Sequence, residues 1–190
     1  MRITAGAWRG RKIPVLDSPQ TSLRPTSDRM RQAIFNLLLH NPDCLAIMPT
    51  LEDMRVLDAF CGSGALGLEA LSRGAGHAVF WDKDHKAVQG VRDWCTHYGV
   101  DAVTVEQKDA LKPKPAPSAA DLIFLDPPYG QGLINQALSA LSRTGYLTEK
   151  TLSVCEGEGE RPDMRILVEK IYGRSSLFIG IKEEVTRPPE

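Results

Sequence analysis

The sequence predicts an α/β protein with a mostly parallel sheet that is covered by helices on both faces. After Pro49, short apolar strands alternate with helical segments. These strands are nearly uninterrupted in apolar residues, as in Leu122-Ile123-Phe124-Leu125, which indicates burial on both faces. The chain has 190 residues, of which 42% are hydrophobic and 25% charged. This composition is typical of a globular domain that buries its own core.

Each element follows from a local pattern. Met30, Ile34, Leu37 and Leu38 have amphipathic spacing and predict a helix over about 27–40, which Asn41-Pro42 ends. Gly74 and Gly99 close two later helices. The remaining predicted strands are at 56–60, 78–81, 103–105, 121–125 and 151–155. The remaining helices are predicted over 65–73, over a segment after the second strand that ends at about residue 98, and over 131–143. A terminal hairpin is predicted to pair 166–168 with 177–179 across residue 173.

Charge is distributed unevenly along the chain. Residues 1–31 hold seven basic and two acidic side chains, whereas the rest hold 16 basic and 22 acidic ones. The formal net charge of −1 excludes a strongly basic, histone-like binder. We therefore expect two parts: a basic arm and helix over 1–40 that meets an anion such as RNA, and an enzyme domain over 41–190.

The four cysteines are isolated and predict neither a disulfide framework nor a zinc site. No other grouping of ligand residues points to a metal. The N-terminus shows no apolar signal segment, and no apolar run is long enough to span a bilayer. These patterns predict a cytoplasmic protein that makes no contact with membranes.

The first strand runs into a loop with three glycines, Gly62, Gly64 and Gly67. This GxGxxG spacing and Asp82, 20 residues after Gly62, are compatible with NAD. Asp58 favours another ligand, because a carboxylate in the mouth of the loop opposes a pyrophosphate. S-adenosylmethionine has an ammonium, a sulfonium and no phosphate, so the pattern D-x-F-x-G-x-G suits it better.

Acidic residues also follow later strands. Asp82 ends the second strand and is suited to ribose hydroxyls, and Asp109 follows the third and is suited to the exocyclic amine of an adenine. Acids at the ends of successive strands share one edge of an open sheet. We therefore expect these side chains to line one cofactor crevice.

The fourth strand ends in Asp126-Pro127-Pro128-Tyr129. Two prolines stop the sheet pairing and stiffen the turn. The Asp126 carboxylate and the Pro127 carbonyl can accept the two hydrogens of a nucleobase amine and stabilise positive charge on its nitrogen. Tyr129 can stack on an extruded base. This tetrapeptide therefore predicts methylation of an exocyclic amine.

Together, the two motifs resemble those of class I S-adenosylmethionine-dependent amino methyltransferases. The segments Gly6-Ala-Trp-Arg-Gly-Arg-Lys-Ile13 and Arg24-Pro-Thr-Ser-Asp-Arg-Met-Arg31 are similar to the start of the RsmD family. The resemblance implies a Rossmann-like, seven-stranded sheet with a C-terminal antiparallel hairpin. It also implies transfer of a methyl group from S-adenosyl-L-methionine to the N2 amine of a guanine in 16S ribosomal RNA.

Carried over position by position, the resemblance implies three groups of site residues. The catalytic group is Asp126, Pro127, Pro128 and Tyr129. The cofactor group is Asp58, Phe60, Gly62, Gly64, Asp82, Lys83, Asp109 and Ala110. The group near RNA or a cofactor lid is Arg9, Arg11, Arg24, Thr26 and Arg31. Two positions depart from the family pattern: Cys61 replaces the usual alanine, and Trp81-Asp82 replaces an aliphatic–glutamate pair.

Two other functions share parts of these patterns. A DNA adenine-N6 methyltransferase can also carry Asp-Pro-Pro-Tyr, although sequence-specific DNA reading needs a larger target domain than the arm provides. A non-catalytic NAD-binding or RNA-binding module would explain the glycine loop alone. The expected partner is 16S ribosomal RNA within an assembled or assembling 30S subunit, and the expected state is a monomer.

Overall fold

The computed structural model describes residues 1–14, 27–128 and 130–183. Arg24, Thr26 and Tyr129 of the predicted site lie outside these residues. The helices are α1 (Asp28–His40), α2 (Pro42–Ile47), α3 (Ala65–Ser72), α4 (His85–Tyr98) and α5 (Leu133–Thr144). The strands are β1 (Arg55–Asp58), β2 (His77–Asp82), β3 (Val103–Gln107), β4 (Leu122–Leu125), β5 (Leu152–Gly157), β6 (Arg165–Tyr172) and β7 (Ser175–Ile181).

All seven strands join one sheet in the order β3-β2-β1-β4-β5-β7-β6. Strands β1 to β5 are parallel, and β7 runs antiparallel to both β5 and β6. The predicted fold class, including the C-terminal antiparallel hairpin, is thereby confirmed. The chain leaves β1 in one direction to form β2 and later returns on its other side as β4, which opens a crevice at their carboxyl ends.

Two apolar clusters cover the faces of the sheet. One contains Phe80 and Phe124 together with residues of α1, α3 and α4. The other contains Trp81 and Ile123 together with residues of α5. Because side chains alternate along a strand, neighbouring residues such as Phe80 and Trp81 enter opposite clusters.

Residues 1–14, which we call the arm, belong to the first cluster. Ile3 and Ile13 are each 2% exposed and pack into the same core as α1 and the sheet. The arm folds back on itself: the amide of Ile3 donates to the carbonyl of Arg11, and the amide of Gly10 donates to the carbonyl of Ile3. The predicted division into residues 1–40 and 41–190 therefore remains a prediction about function, because residues on both sides of it pack into one hydrophobic core.

Most element bounds agree with the sequence prediction to within two residues. Ser27 caps α1 by accepting a hydrogen bond from the amide of Met30. Helix α2 was not predicted, because Asn41-Pro42 ends α1 and also starts this second helix, in which the Asn41 side chain accepts hydrogen bonds from the amides of residues 43 and 44. In the described ranges, no helix has the length and apolar character needed to cross a bilayer.

Candidate active site

Three carboxyl groups meet at the carboxyl ends of β1, β2 and β4, which we call the carboxyl edge. Asp58 ends β1, Asp82 ends β2 and Asp126 follows β4 directly. Both Asp126 and Asp82 raise the pKa of Asp58 electrostatically. The crevice predicted from the strand ends is thus a site with three acidic side chains close enough to interact.

Asp58 is the most perturbed of the three. Asp58 is 2% exposed, and its Oδ2 accepts a hydrogen bond of 3.0 Å from the amide of Gly67. Burial, with smaller contributions from Asp126 and Asp82, raises the pKa of Asp58 to about 7, although the Gly67 hydrogen bond opposes the rise. At neutral pH this carboxyl is therefore poised to ionise when positive charge approaches.

The glycine loop is shaped by contacts with these acids and with β2. The amide of Gly62 donates a 2.8 Å hydrogen bond to Oδ2 of Asp82. Gly64 is the N-cap residue of α3 and has a φ of +75°, a conformation that L side chains rarely adopt. A Cβ on Gly67 would lie 2.3 Å from the ring of Phe80, so α3 approaches the sheet closely there. Gly64 and Gly67 thus each have a structural reason to be glycine.

The far side of the crevice carries the residues predicted to hold ribose and adenine. Oδ1 of Asp82 accepts from the amide of Asp84 at 2.9 Å, which fixes the carboxylate at its strand end. Lys83 Nζ lies 3.1 Å from Oδ2 of Asp109. Burial alone would raise the pKa of Asp109, but bonds from the Leu111 amide and Lys83 outweigh it and lower the pKa. An ionised acceptor therefore stands where an adenine amine is expected.

Two further residues of the predicted cofactor group differ in exposure. Ala110 is 2% exposed, and Phe60 is half-buried against the α5-side cluster. Cys61 is also buried, and burial raises the pKa of its thiol well above the usual range. A protonated thiol is a poor nucleophile, so Cys61 is a packing residue.

The turn after β4 contains Asp126, Pro127 and Pro128 of the predicted catalytic group. Asp126 is partly exposed, Pro127 is buried and Pro128 is exposed. Strands β1 and β4 are neighbours in the sheet, and the amide of Ala59, which follows β1, donates a hydrogen bond to the carbonyl of Phe124 at 3.1 Å. This bond ties the glycine loop to the strand that positions Asp126, so both motifs share one rigid edge.

The residues predicted to contact RNA have very different environments. Arg9 is exposed. Arg11 is half-buried, with its guanidinium carbon 4.4 Å from the centre of the Tyr98 ring. The prediction that Arg31 faces RNA is corrected: its side chain is fully buried and lies 3.1 Å from Glu69 and 2.9 Å from Asp28. Its charge neutralises a buried acid instead of facing a ligand.

Glu69 is a residue that sequence reasoning missed. It is fully buried on α3, and its oxygens accept hydrogen bonds from the amides of Thr4 and Ala5, the Thr4 hydroxyl, Arg31 and Arg73. Burial would raise its pKa, but the bonds from Thr4 and Arg73 lower it. A lone acid in the otherwise apolar run Ala65-Leu-Gly-Leu-Glu-Ala-Leu71 was the available signal, because a buried charge requires partners.

A second missed feature is an aromatic cluster between the arm and α4. The rings of Trp8 and Trp94 lie 5.5 Å apart, and Trp94 lies 4.6 Å from Tyr98. The indole of Trp94 also donates to the carbonyl of Lys12 at 2.6 Å. The contacts of Trp94 with Lys12 and Trp8 join residues 82 and 86 positions apart, so no local pattern could indicate them.

Proteins of one family have sequences similar to that of this chain. A family model described as "Conserved hypothetical protein 95" matches residues 1–180. The chain is 39% identical over 163 residues to ribosomal RNA small subunit methyltransferase D of Escherichia coli, covering 84% of this chain and 76% of the relative. It is 36% identical over 183 residues to the Haemophilus influenzae protein of that description, covering 91% and 89%.

Solved structures agree with these matches. The structure of yhhF from Escherichia coli, provisionally assigned as a methyltransferase, superimposes with a TM-score of 0.81 at 33% identity and covers 96% of this chain and 98% of its own. An RNA methyltransferase of Salinibacter ruber in complex with S-adenosyl-L-homocysteine shares the fold, with a TM-score of 0.65 at 17% identity, covering 87% and 98%. The chain therefore belongs to the Conserved hypothetical protein 95 family, together with the ribosomal RNA small subunit methyltransferase D proteins.

Proposed function

We propose that this protein transfers a methyl group from S-adenosyl-L-methionine to the N2 amine of a guanine in 16S ribosomal RNA. The observation that carries the proposal is the group of three interacting carboxyls, Asp58, Asp82 and Asp126, around a glycine loop. The relatives named as ribosomal RNA small subunit methyltransferase D support the substrate class.

The residues of the crevice fit this cofactor. Asp82 and Asp126 both lie within electrostatic reach of Asp58, and the three acids create a negative potential, which favours a ligand with a sulfonium and an ammonium. The same potential disfavours the pyrophosphate of NAD. Asp58, Gly62 and Gly64 would hold the methionine end, Asp82 the ribose hydroxyls and Asp109 the adenine amine. Phe60, Lys83 and Ala110 would complete the walls.

The bound cofactor supplies an electrophilic methyl group on a positively charged sulfur. The chain's own residues prepare the amine that receives it. The Asp126 carboxylate and the Pro127 carbonyl would each accept one hydrogen of the guanine N2 group. These bonds hold the nitrogen in place and stabilise the positive charge that develops as the N–C bond forms. One amine proton leaves to Asp126 or to water, and the stiffness of Pro127-Pro128 keeps both acceptors fixed.

A base must leave its stack to reach Asp126, since the amine lies at a paired edge in a duplex. Tyr129 is proposed to stack on that base. Arg9 is an exposed cation on the arm and is proposed to contact RNA phosphates. We also propose that the substrate is a 30S subunit, assembled or assembling, in the cytoplasm, and that the enzyme acts as a monomer.

Mapping of the transferred label tests the proposal directly. Small ribosomal subunits that lack the modification and, in a parallel reaction, duplex DNA are incubated with the protein and tritiated S-adenosylmethionine, and the labelled nucleoside is identified after digestion of the extracted nucleic acid. We expect N2-methylguanosine in 16S RNA. Label in duplex DNA adenine with none in RNA would establish the DNA alternative instead.

Calorimetry separates the cofactors. We expect S-adenosylmethionine to bind and NAD not to bind. Binding of NAD alone would contradict the proposal and support a non-catalytic module. Asp101→Asn, which changes an exposed acid outside the crevice, is the matched control for substitutions at the carboxyl edge.

A further inference from the structure

The β6–β7 hairpin ends at the same edge of the sheet as the proposed catalytic turn. β6 and β5 are both antiparallel to β7, so they run parallel to each other. Register aligns Leu125 with Cys155, Cys155 with Phe178 and Phe178 with Glu169. Residues 170–174, which we call the hairpin tip, therefore begin level with Asp126 and extend beyond the carboxyl edge.

The hairpin tip exposes an unusual combination of side chains. Ile171 is 72% exposed and Tyr172 is 38% exposed, and these two are the exposed large hydrophobic residues among those that the structure describes. Lys170 and Arg174, which flank them, are exposed as well. Within the described ranges neither cation forms an ion pair, whereas the neighbouring Glu169 is paired with Arg161 at 2.8 Å. Positive charge is thus available on both sides of an exposed aromatic ring.

A groove lies between this tip and α1. It has a volume of about 710 Å³, and its lining includes Tyr172 and the α1 residues Ala33, Asn36, Leu37 and His40. Helix α1 crosses the sheet, since Arg31 near its start contacts α3, Phe35 packs on Phe124 of β4, and His40 at its end reaches the groove. In the described part of the chain, no hydrogen bond engages the side chains of Asn36, His40 or Tyr172.

We propose that the hairpin tip and this groove bind the RNA substrate on the side of the target guanine, with Tyr172 stacking on a base and Lys170 and Arg174 contacting phosphates. The inference rests on the proposed function, because it assigns a second contact for the same RNA. Aromatic stacking next to unpaired cations is the arrangement that proteins use for unpaired nucleotides. Asn36 and His40 supply free hydrogen-bonding groups that can reach a base edge.

Distance supports a contact with the same RNA segment. Three strand spacings of about 4.8 Å separate β4 from β6, so the tip lies roughly 14 Å from the catalytic turn. This is about four nucleotides at 3.4 Å for each stacked base. A protein partner fits less well, because two exposed apolar side chains are far from the roughly 800 Å² that a stable protein interface buries on each side.

The test compares Tyr172→Ala with Tyr172→Phe on unmethylated small ribosomal subunits. For Tyr172→Ala we expect the Kd for subunits and the KM to rise roughly 5- to 100-fold, as for the loss of one base–aromatic stack. We expect kcat and the Kd for S-adenosylmethionine to stay near wild type, and Tyr172→Phe to bind like wild type. Equal Kd and KM values for wild type and Tyr172→Ala would overturn the inference.

The charged residues have their own control. The pair Lys170→Ala and Arg174→Ala should weaken subunit binding and reduce its salt dependence. Lys150→Ala, which removes an exposed cation just before β5 at the opposite edge, should change neither. If the Lys150 variant loses as much affinity as the pair, binding follows overall charge and the assigned surface is wrong.

A cross-linking experiment identifies the occupant. With p-benzoylphenylalanine in place of Tyr172, we expect a photo-adduct with 16S RNA a few nucleotides from the methylated guanine. An adduct with a ribosomal protein or with a second copy of this chain would overturn the RNA assignment. These outcomes are distinct from failure of the proposed function, in which the wild-type protein itself would put no label into RNA.

Discussion

The carboxyl edge and the arm hold polar groups in opposite ways. At the carboxyl edge, Asp82 and Asp126 lie close enough to Asp58 to act on it electrostatically, and burial together with these two acids raises the pKa of Asp58. Where the arm meets α3, the buried acid Glu69 is surrounded by donors that lower its pKa. We propose that the first arrangement ionises when a cationic ligand binds, whereas the second uses its charges to hold the fold together.

This difference explains which predictions succeed. A motif such as D-x-F-x-G-x-G depends on the backbone path from β1 into α3, and the structure has its residues on that path. Positive charge on the arm carries no such information, because a cation on a surface and a cation paired inside look the same in a sequence. Arg9 and Arg31 illustrate the two cases, one exposed and the other fully buried.

Arg31→Ala tests the structural role of the arm's charges. It leaves Glu69 buried without one of its two cations, so we expect the free energy of unfolding to fall by about 3–5 kcal/mol. Urea denaturation measures this change. Arg9→Ala is the matched control: it should change stability by less than about 0.5 kcal/mol, but lower the salt dependence of RNA binding. Similar stability for the two variants would show that Arg31 does not hold the arm.

Asp126→Asn tests the catalytic role of the carboxyl edge. The amide keeps one acceptor but removes the negative charge, so we expect kcat for RNA methylation to fall roughly 10²- to 10³-fold. The Kd for S-adenosylmethionine should change much less. Single-turnover rates with saturating subunits give the measurement, and full activity in this variant would remove Asp126 from the mechanism.

A comparison of Gly6→Ala with Gly10→Ala tests how closely the arm packs on α3, because Gly6 lies against Ser72 and Gly10 has open space around it. A Cβ at Gly6 would lie 1.7 Å from the carbonyl oxygen of Ser72, whereas a Cβ at Gly10 would meet nothing within 4 Å. Both glycines have positive φ, +79° and +86°, so backbone strain is shared. We expect Gly10→Ala to cost about 1 kcal/mol and Gly6→Ala at least 1–2 kcal/mol more. Equal thermal stability of the two variants would mean that the arm docks loosely.

Sequence reasoning succeeds where local backbone dictates the result. The alternation of strands and helices gives the fold, and Gly64 and Gly67 are required by a positive φ and by the approach of Phe80. Even the element it missed, α2, has a local cause in Asn41-Pro42.

The sequence could not give contacts that join distant segments. Trp8 meets Trp94, and Thr4 bonds Glu69 across 65 positions. Only the folded chain brings these pairs together, so their charges and rings look like surface features in the sequence. The buried environment of Asp58 is of the same kind, because its raised pKa comes from Asp126 and Asp82 as well as from burial.

The pH dependence of Asp58→Asn tests whether the pKa of the Asp58 carboxyl is raised at the carboxyl edge. Because the folded pKa of Asp58 is raised from 3.8 to about 7, its contribution to stability is complete below pH 3.8 and is lost as pH rises through about 7. Asparagine does not titrate and can still accept from Gly67. We therefore expect the variant to gain roughly 2 kcal/mol over wild type between pH 5 and pH 8 in urea denaturation.

Ligand binding should show the opposite preference. A cationic ligand favours ionised Asp58, so the affinity of the wild-type protein for S-adenosylmethionine should fall as pH drops below about 7, with a proton released on binding. Asp58→Asn should bind weakly and lose this pH dependence, while Asp101→Asn should behave as wild type. If Asp58→Asn follows wild type in both stability and affinity from pH 5 to pH 8, the Asp58 carboxyl does not titrate with a raised pKa. The proposed difference between Asp58, whose pKa is raised, and Glu69, whose pKa is lowered, would then be wrong.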